Sequence, residues 1–173
     1  MDSLQFYKSL YDRELNRRKD LDDAINLPIT VLSIIAAANT YLLANFSFNY
    51  CEKLIIYVIS LLLFVSFSIS VFYLTRSYNN LFKGFAYTNF ALSKEIRTFE
   101  TVDIPNFNKQ VSDNESISFE NSLIEMLNQY TDDHIVFNDK RSSDLYKSKA
   151  FLIVSLLFTG ILFLFYFIHK LSV

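Results

Sequence analysis

The 173-residue chain is 51% hydrophobic and 17% aromatic, far more apolar than a soluble domain of this length requires. A formal net charge of −2 offers no basic face for nucleic acid, so no direct nucleic-acid contact is expected. Two glycines and two prolines argue against a many-stranded β fold, and the lone Cys51 with His134 and His169 gives neither an intramolecular disulfide nor a usual zinc site.

The first apolar stretch begins only at Leu27, after a charged segment. No small-residue cleavage site follows an early apolar core, so a cleaved signal peptide is not expected. Within residues 1–26, Leu4, Tyr7, Leu10, Tyr11, Leu15, Leu21 and Ile25 recur mostly at three- and four-residue steps among charges. They define an amphipathic helix with Ser3 as its N-cap. Such a helix either packs on the protein's own cytosolic part or docks on a membrane surface or partner. Asp20, Asp22 and Asp23 disfavour anionic lipid as that surface.

Residues 27–75 read as a two-span hairpin. Pro28 opens the run Leu27 to Phe46, since proline is tolerated in a first helical turn. The second run, Leu54 to Leu74, has 21 residues without a charge, glycine or proline, and about 20 suffice to cross hydrocarbon. Lys53 and Arg76 flank it at headgroup level. The short connection 47–52 makes the two spans antiparallel neighbours. Asn39 is either an interhelical hydrogen-bonding group or a pore-lining amide, and Ser60, Ser66, Ser68 and Ser70 carry the same ambiguity.

Beyond Arg76 the helical period persists through Tyr78, Leu81, Phe82, Phe85, Leu92, Ile96 and Phe99, which predicts that the second span continues into water as a helix to about residue 99. Gly84 would either kink this helix or allow close approach of a neighbour, and its spacing favours close approach. Residues 101–117, with Pro105 and several Asn and Asp, read as a loop that could receive a signal or merely close a hairpin. A second stripe follows in Phe119, Leu123, Leu127, Tyr130, His134, Phe137, Arg141 and Leu145. His134 is expected as a core histidine satisfied by a neighbour, because no second ligand for a switch or metal is visible. A basic collar of Lys140, Arg141, Lys147 and Lys149 precedes the third apolar run, Ala150 to Ile168.

Five Lys or Arg lie in 1–26 and nine in 76–149, fourteen of the sixteen in the chain. Basic residues are retained on the cytoplasmic side. The expected fold is therefore an all-α membrane protein with a cytosolic N-terminus and three transmembrane helices, the third within 150–173. Residues 76–149 form a cytosolic antiparallel helical hairpin, a stalk of about 36 to 48 Å at roughly 1.5 Å per residue. High Asn, Ile, Phe, Tyr and Lys usage is what an AT-rich bacterial genome would encode.

Phosphate loops, dinucleotide fingerprints, nucleophile elbows and HExxH or CxxC patterns are missing. Asp132, Asp133 and His134 are adjacent on a helix and point about 100° apart, so they do not converge. No enzyme activity and no cofactor are expected.

The arrangement has a charged helix FYKSLYDRELNRRKDLDDAINLP before a two-span hairpin, then a long helical pair returning to the membrane at NDKRSSDLYKSKAFLIVSL. It resembles small membrane effectors of bacterial antiphage operons, of the SLATT type and related two-span families, from which the third span departs. The resemblance implies a multi-pass inner-membrane protein, homo-oligomeric in the bilayer and held quiet by an operon-encoded regulatory or sensor protein. On release it would disrupt the membrane and arrest the infected cell. In that class Ser60, Ser66, Ser70, Ser155, Thr159 and Gly160 would pack between subunits, with Asn39 beside them. The stalk residues Phe85, Leu92, Ile96, Leu123, Leu127, Tyr130, His134 and Phe137 would couple a partner to the spans. Without a charged residue in the spans, a selective ion path is disfavoured, whereas a leaky or hydrophobically gated pore is not. The alternative is a membrane-anchored adaptor whose stalk recruits a soluble partner.

Overall fold

A computed structural model describes residues 2–45 and 50–172. Residues 47–49 of the hairpin connection and the Cys51 side chain lie outside the described residues. The described residues form helices joined by turns, with no strand among them. Three helical runs, Ser3–Asn45, Lys53–Asn79 and Phe119–Leu171, contain segments long and apolar enough to cross a membrane.

Helix α1 covers Ser3–Asp23 and α2 covers Asn26–Asn45. The Phe6 N–H bonds the Asp2 carbonyl at 3.1 Å, so Asp2 and not Ser3 occupies the N-cap position. Pro28 sits in the first turn of α2 and has no N–H to return toward Ala24, which accounts for the brief turn between the helices. The buried face nonetheless keeps one period through the break. Leu4, Tyr7, Tyr11, Glu14, Arg18, Leu21, Ile25, Pro28, Leu32, Ile35, Asn39 and Leu42 alternate steps of three and four, and all are buried or half-buried. That is the 3.5-residue repeat of a coiled-coil seam.

Helix α3, Tyr50–Asn79, stops well short of residue 99. Asn80, Leu81 and Phe82 adopt positive φ (45°, 55° and 71°), and Gly84 follows at 72°. Asparagine tolerates the left-handed region that ends a helix, and glycine enters it freely. The Asn80 side-chain amide then bridges the turn by donating to the Gly84 carbonyl at 3.2 Å. The apolar stripe through Phe82 and Leu92 is therefore not a buried helical face: Phe82 is 83% exposed and Leu92 72%. Gly84 serves conformation and not close approach, because a Cβ there would meet only Asn79 Oδ1 at an ordinary 3.8 Å. Gly84→Ala is accordingly expected to cost about 1 kcal/mol through φ alone, read by thermal unfolding of the detergent-solubilised protein.

Residues 84–92 have no regular secondary structure, so the first arm of the helical hairpin predicted over 76–149 is broken into an irregular segment and short helices, while its second arm lies within one long helix. Helix α4, Ser93–Thr98, begins where the Leu92 N–H donates to Glu95 Oε2 at 3.1 Å. The predicted loop 101–117 is also largely wound, through a π-helical turn at Phe99–Asp103, helix α5 at Ile104–Asn108 and a 3-10 turn at Asp113–Glu115. Pro105 lies in the first turn of α5, where its missing N–H costs nothing. The Asn108 amide closes the excursion, donating to the Ile117 carbonyl at 2.8 Å and accepting from the Ile117 N–H at 2.9 Å.

Helix α6 is unbroken over 54 residues, Phe119–Ser172. Apart from Asp144, its buried positions run Leu127, Thr131, His134, Asn138, Arg141, Leu145, Ser148, Leu152, Ser155, Thr159 and Leu162, alternating steps of four and three. One face is thus a heptad seam with more polar members than apolar ones.

The chain divides into two compact units, to both of which α1 and α6 contribute. The first comprises Met1–Lys19 and Ala86–Asp139, the second Asp20–Phe85 and Lys140–Val173. In the second, α3 runs antiparallel to α6, since rising numbers on one meet falling numbers on the other (Ser66 with Ser155, Ser70 with Ser148, Ser77 with Arg141). Its core has one cluster around Ile25, Ile35, Leu74, Leu145 and Leu152, and another around Leu42, Ile56, Leu63 and Leu162. Its exterior carries Leu54, Tyr57, Leu61 and Phe64 on α3 and Ile153, Leu157 and Leu164 on α6, all exposed. A continuous apolar exterior of this kind suits hydrocarbon and not water.

Candidate functional site

Within the second unit, α3 and α6 meet through serine where large side chains would hold them apart. The Ser70 hydroxyl donates to the Ser148 carbonyl and the Ser148 hydroxyl to the Ser70 carbonyl, both at 2.9 Å. Seven residues further along each helix the exchange recurs. Ser77 Oγ donates to the Arg141 carbonyl at 2.9 Å, and Arg141 Nε donates to the Ser77 carbonyl at 3.0 Å. Toward the other end the Ser66 and Ser155 hydroxyls lie 2.8 Å apart. Reciprocal hydroxyl-to-carbonyl bonds require close backbones, which small residues at an interface permit.

Charges gather where this seam leaves the apolar segment. Arg76 Nε donates to Oδ2 of the buried Asp144 at 2.7 Å, and Nη2 lies 2.7 Å from Oδ1 as an ion-pair contact outside hydrogen-bond geometry. Arg141, read both as a member of the stripe and as part of the basic collar, is turned inward at 2% exposure, pairs with Asp22 and lies 5.4 Å from the Phe85 ring centroid. Buried polar contacts at heptad positions fix register, because a one-residue slip strands every donor at once.

The first unit has its own polar cluster. Asn138, fully buried, donates to the Glu14 carbonyl at 3.0 Å and to Glu14 Oε2 at 3.1 Å, and accepts from the Tyr87 hydroxyl at 2.9 Å. His134 Nε2 lies 2.9 Å from the Thr88 carbonyl; since a carbonyl only accepts, Nε2 carries the proton and Nδ1 is left without a hydrogen bond. The imidazole is faced by Tyr11 and Tyr87, at centroid distances of 5.4 and 5.0 Å. The Arg18 guanidinium sits 4.2 Å from the Tyr87 ring centroid. Burial pushes the Tyr11 phenol above its usual range, and the hydrogen bond to Asp139 does the same for the Arg17 guanidinium.

The residues singled out from sequence are distributed unevenly over these clusters. Asn39 donates to the Thr159 hydroxyl at 3.1 Å and to the Ile35 carbonyl at 2.8 Å. Ser66, Ser70, Ser155 and Thr159 are buried inside this one chain, not displayed for a second subunit. Ser60 is half-buried and Gly160 exposed, with nothing within 4 Å of a Cβ built there. Leu127 and His134 are buried, while Leu123, Tyr130, Phe137 and Phe85 are half-buried. Ile96 packs with Phe99, Phe119 and Leu123 around a small cavity, whereas Leu92 packs into no core. Apolar counting missed Thr131, Asn138, Ser148 and Glu14. A search for alternating three- and four-residue steps that ignored polarity would have found them.

The chain matches no protein-family model, no curated protein and no solved structure.

Proposed function

We propose that the protein is a multi-pass effector of the bacterial inner membrane, with its N-terminus cytoplasmic, whose unit outside the bilayer controls the state of its three spans. The observation that carries this reading is α6, one uninterrupted helix that bears the His134 and Asn138 cluster in its first half and the apolar run from Ala150 in its second. A helix shared by both units can convert a partner's binding into a shift in span packing. The family resemblance supplies the biological setting, antiphage defence under an operon-encoded regulator, with disruption of the membrane by an assembly of copies as the output. A second reading, the membrane-anchored adaptor, draws support from the seam itself. Ser66, Ser70 and Ser155, three of the hydroxyls a polar path would use, are bonded within the chain.

A potential-sensitive dye in bacteria carrying an inducible copy separates the two. The effector is expected to depolarise cells before colony counts fall. Leu127→Asp, which buries a charge in the first unit, should abolish that effect while the protein still reaches the membrane. Unchanged potential at high levels of inserted wild-type protein, with one soluble protein co-purifying in mild detergent, would favour the adaptor.

A further inference from the structure

Within the second unit, α2, α3 and α6 enclose a cavity of ≈ 300 Å³ at the level of the apolar runs. That is room for about ten water-sized groups at roughly 30 Å³ each. Its walls are apolar, with Ile56, Leu63 and Leu162 among them, and no charged side chain lines it. Two of its lining residues, Leu43 and Phe64, are also strongly exposed, so it opens on the apolar exterior.

Four polar side chains interrupt this lining, Asn39, Thr40, Ser60 and Tyr166. The Thr40 hydroxyl donates to the Ala36 carbonyl at 2.9 Å and Tyr166 packs edge-on to Tyr41, so Asn39 and Ser60 are the two whose polar groups are still to be met. The Asn39 amide nitrogen spends both protons, on Ile35 and Thr159, which leaves Oδ1 as an acceptor without a donor among the described residues. Ser60 makes no hydrogen bond among them either, so its hydroxyl has both a proton and lone pairs to offer. In hydrocarbon neither group can turn to bulk water, and each carries a desolvation cost until it is met.

We propose that this cavity binds an uncharged, hydroxyl-bearing lipid, its alkyl chain in the apolar volume and its hydroxyl meeting Asn39 and Ser60. A hydroxyl is the group that satisfies both, donating its proton to Asn39 Oδ1 while accepting from the Ser60 hydroxyl. A ketone or ester head would leave the Asn39 acceptor unmet, and a charged head would find no counter-ion. An apolar pocket with a few convergent polar groups is the usual form of a small-molecule site. This inference does not depend on the effector reading and requires only that the three helices lie in a bilayer.

The test uses the full chain in phosphatidylcholine nanodiscs with 1-hexadecanol carrying a mid-chain diazirine, and adducts mapped by mass spectrometry. Adducts should concentrate on lining residues such as Ile56 and Leu63, and should be displaced by excess 1-hexadecanol but not by hexadecane. Ser60→Ala, which breaks no bond inside the protein, should lower labelling about five-fold, as expected for one lost hydrogen bond. Ala36→Trp, which fills the lining without touching either polar group, should remove it. Equal competition by hexadecane, adducts spread evenly over outward residues such as Leu54 and Leu157, or unchanged labelling in folded Ser60→Ala would each overturn the proposal.

Discussion

Ser148→Leu is expected to force α3 and α6 apart and to lose about 3 kcal/mol or more, whereas Ser148→Ala at the same position loses only about 0.6 to 1.7 kcal/mol. The two changes probe different terms. Alanine removes the hydroxyl donated to the Ser70 carbonyl and leaves the backbones where they are. That bond is worth little, because an isolated span in lipid finds other partners for its serine. Leucine adds three heavy atoms beyond the alanine side chain at a position with no exposed surface, facing an equally buried Ser70. The helices must then separate, and the neighbouring exchanges at Ser77 with Arg141 and at Ser66 with Ser155 lengthen with them. Unfolding in mixed micelles with rising denaturing detergent measures both variants. Similar losses for the two would mean that the hydroxyls, not the close approach, hold the pair.

Asn138→Leu carries the second large effect, about 3 kcal/mol, because one side chain serves three partners from two other segments. It leaves the Glu14 carbonyl and the Tyr87 hydroxyl without their bonds, and takes a donor from a carboxylate that is itself only 3% exposed. A buried polar group left unpaired costs about 1 to 3 kcal/mol. Here the leucine cannot recover that loss by packing, since its neighbours are polar. Asn138→Asp should be worse still, setting a second carboxylate where the amide had donated to Glu14 Oε2. Hydrogen exchange of residues 86–92 reports the outcome by position. Fast exchange there with unchanged protection in α3 would place the damage in the first unit, and no change at all would refute the role given to Asn138.

The parts of the fold written in hydrophobicity were legible in the sequence. The uncharged run from Leu54 to Leu74 and the run from Ala150 to Ile168 both fall within helices long and apolar enough to cross a membrane. The seam was less legible, because most of its α6 positions are polar. In α6 the heptad positions Thr131, Asn138, Ser148 and Thr159 look like surface residues to any scale that rewards apolarity. Only their spacing betrays them. The end of α3 was hidden for the opposite reason. Apolar residues at helical steps continue past Arg76, while the stop is encoded by backbone chemistry, two asparagines at 79 and 80 and a glycine at 84. Periodicity registers side chains and is blind to φ. In the same way Arg141 satisfied two readings at once, a stripe member and a collar cation, and its Asp22 partner decided for the stripe.

The central claim, that α6 carries control from the first unit to the spans, is tested most directly by breaking the helix without touching either cluster. Ser143 is exposed, and proline there removes a helical hydrogen bond and clashes with the preceding turn at a cost of about 3 kcal/mol. Membrane potential would be followed by dye in cells expressing wild type, Ser143→Ala and Ser143→Pro at matched levels in the membrane. The account predicts depolarisation by wild type and Ser143→Ala and none by Ser143→Pro. Depolarisation by Ser143→Pro equal to wild type would contradict it, since the spans would then act without instruction from the unit outside them.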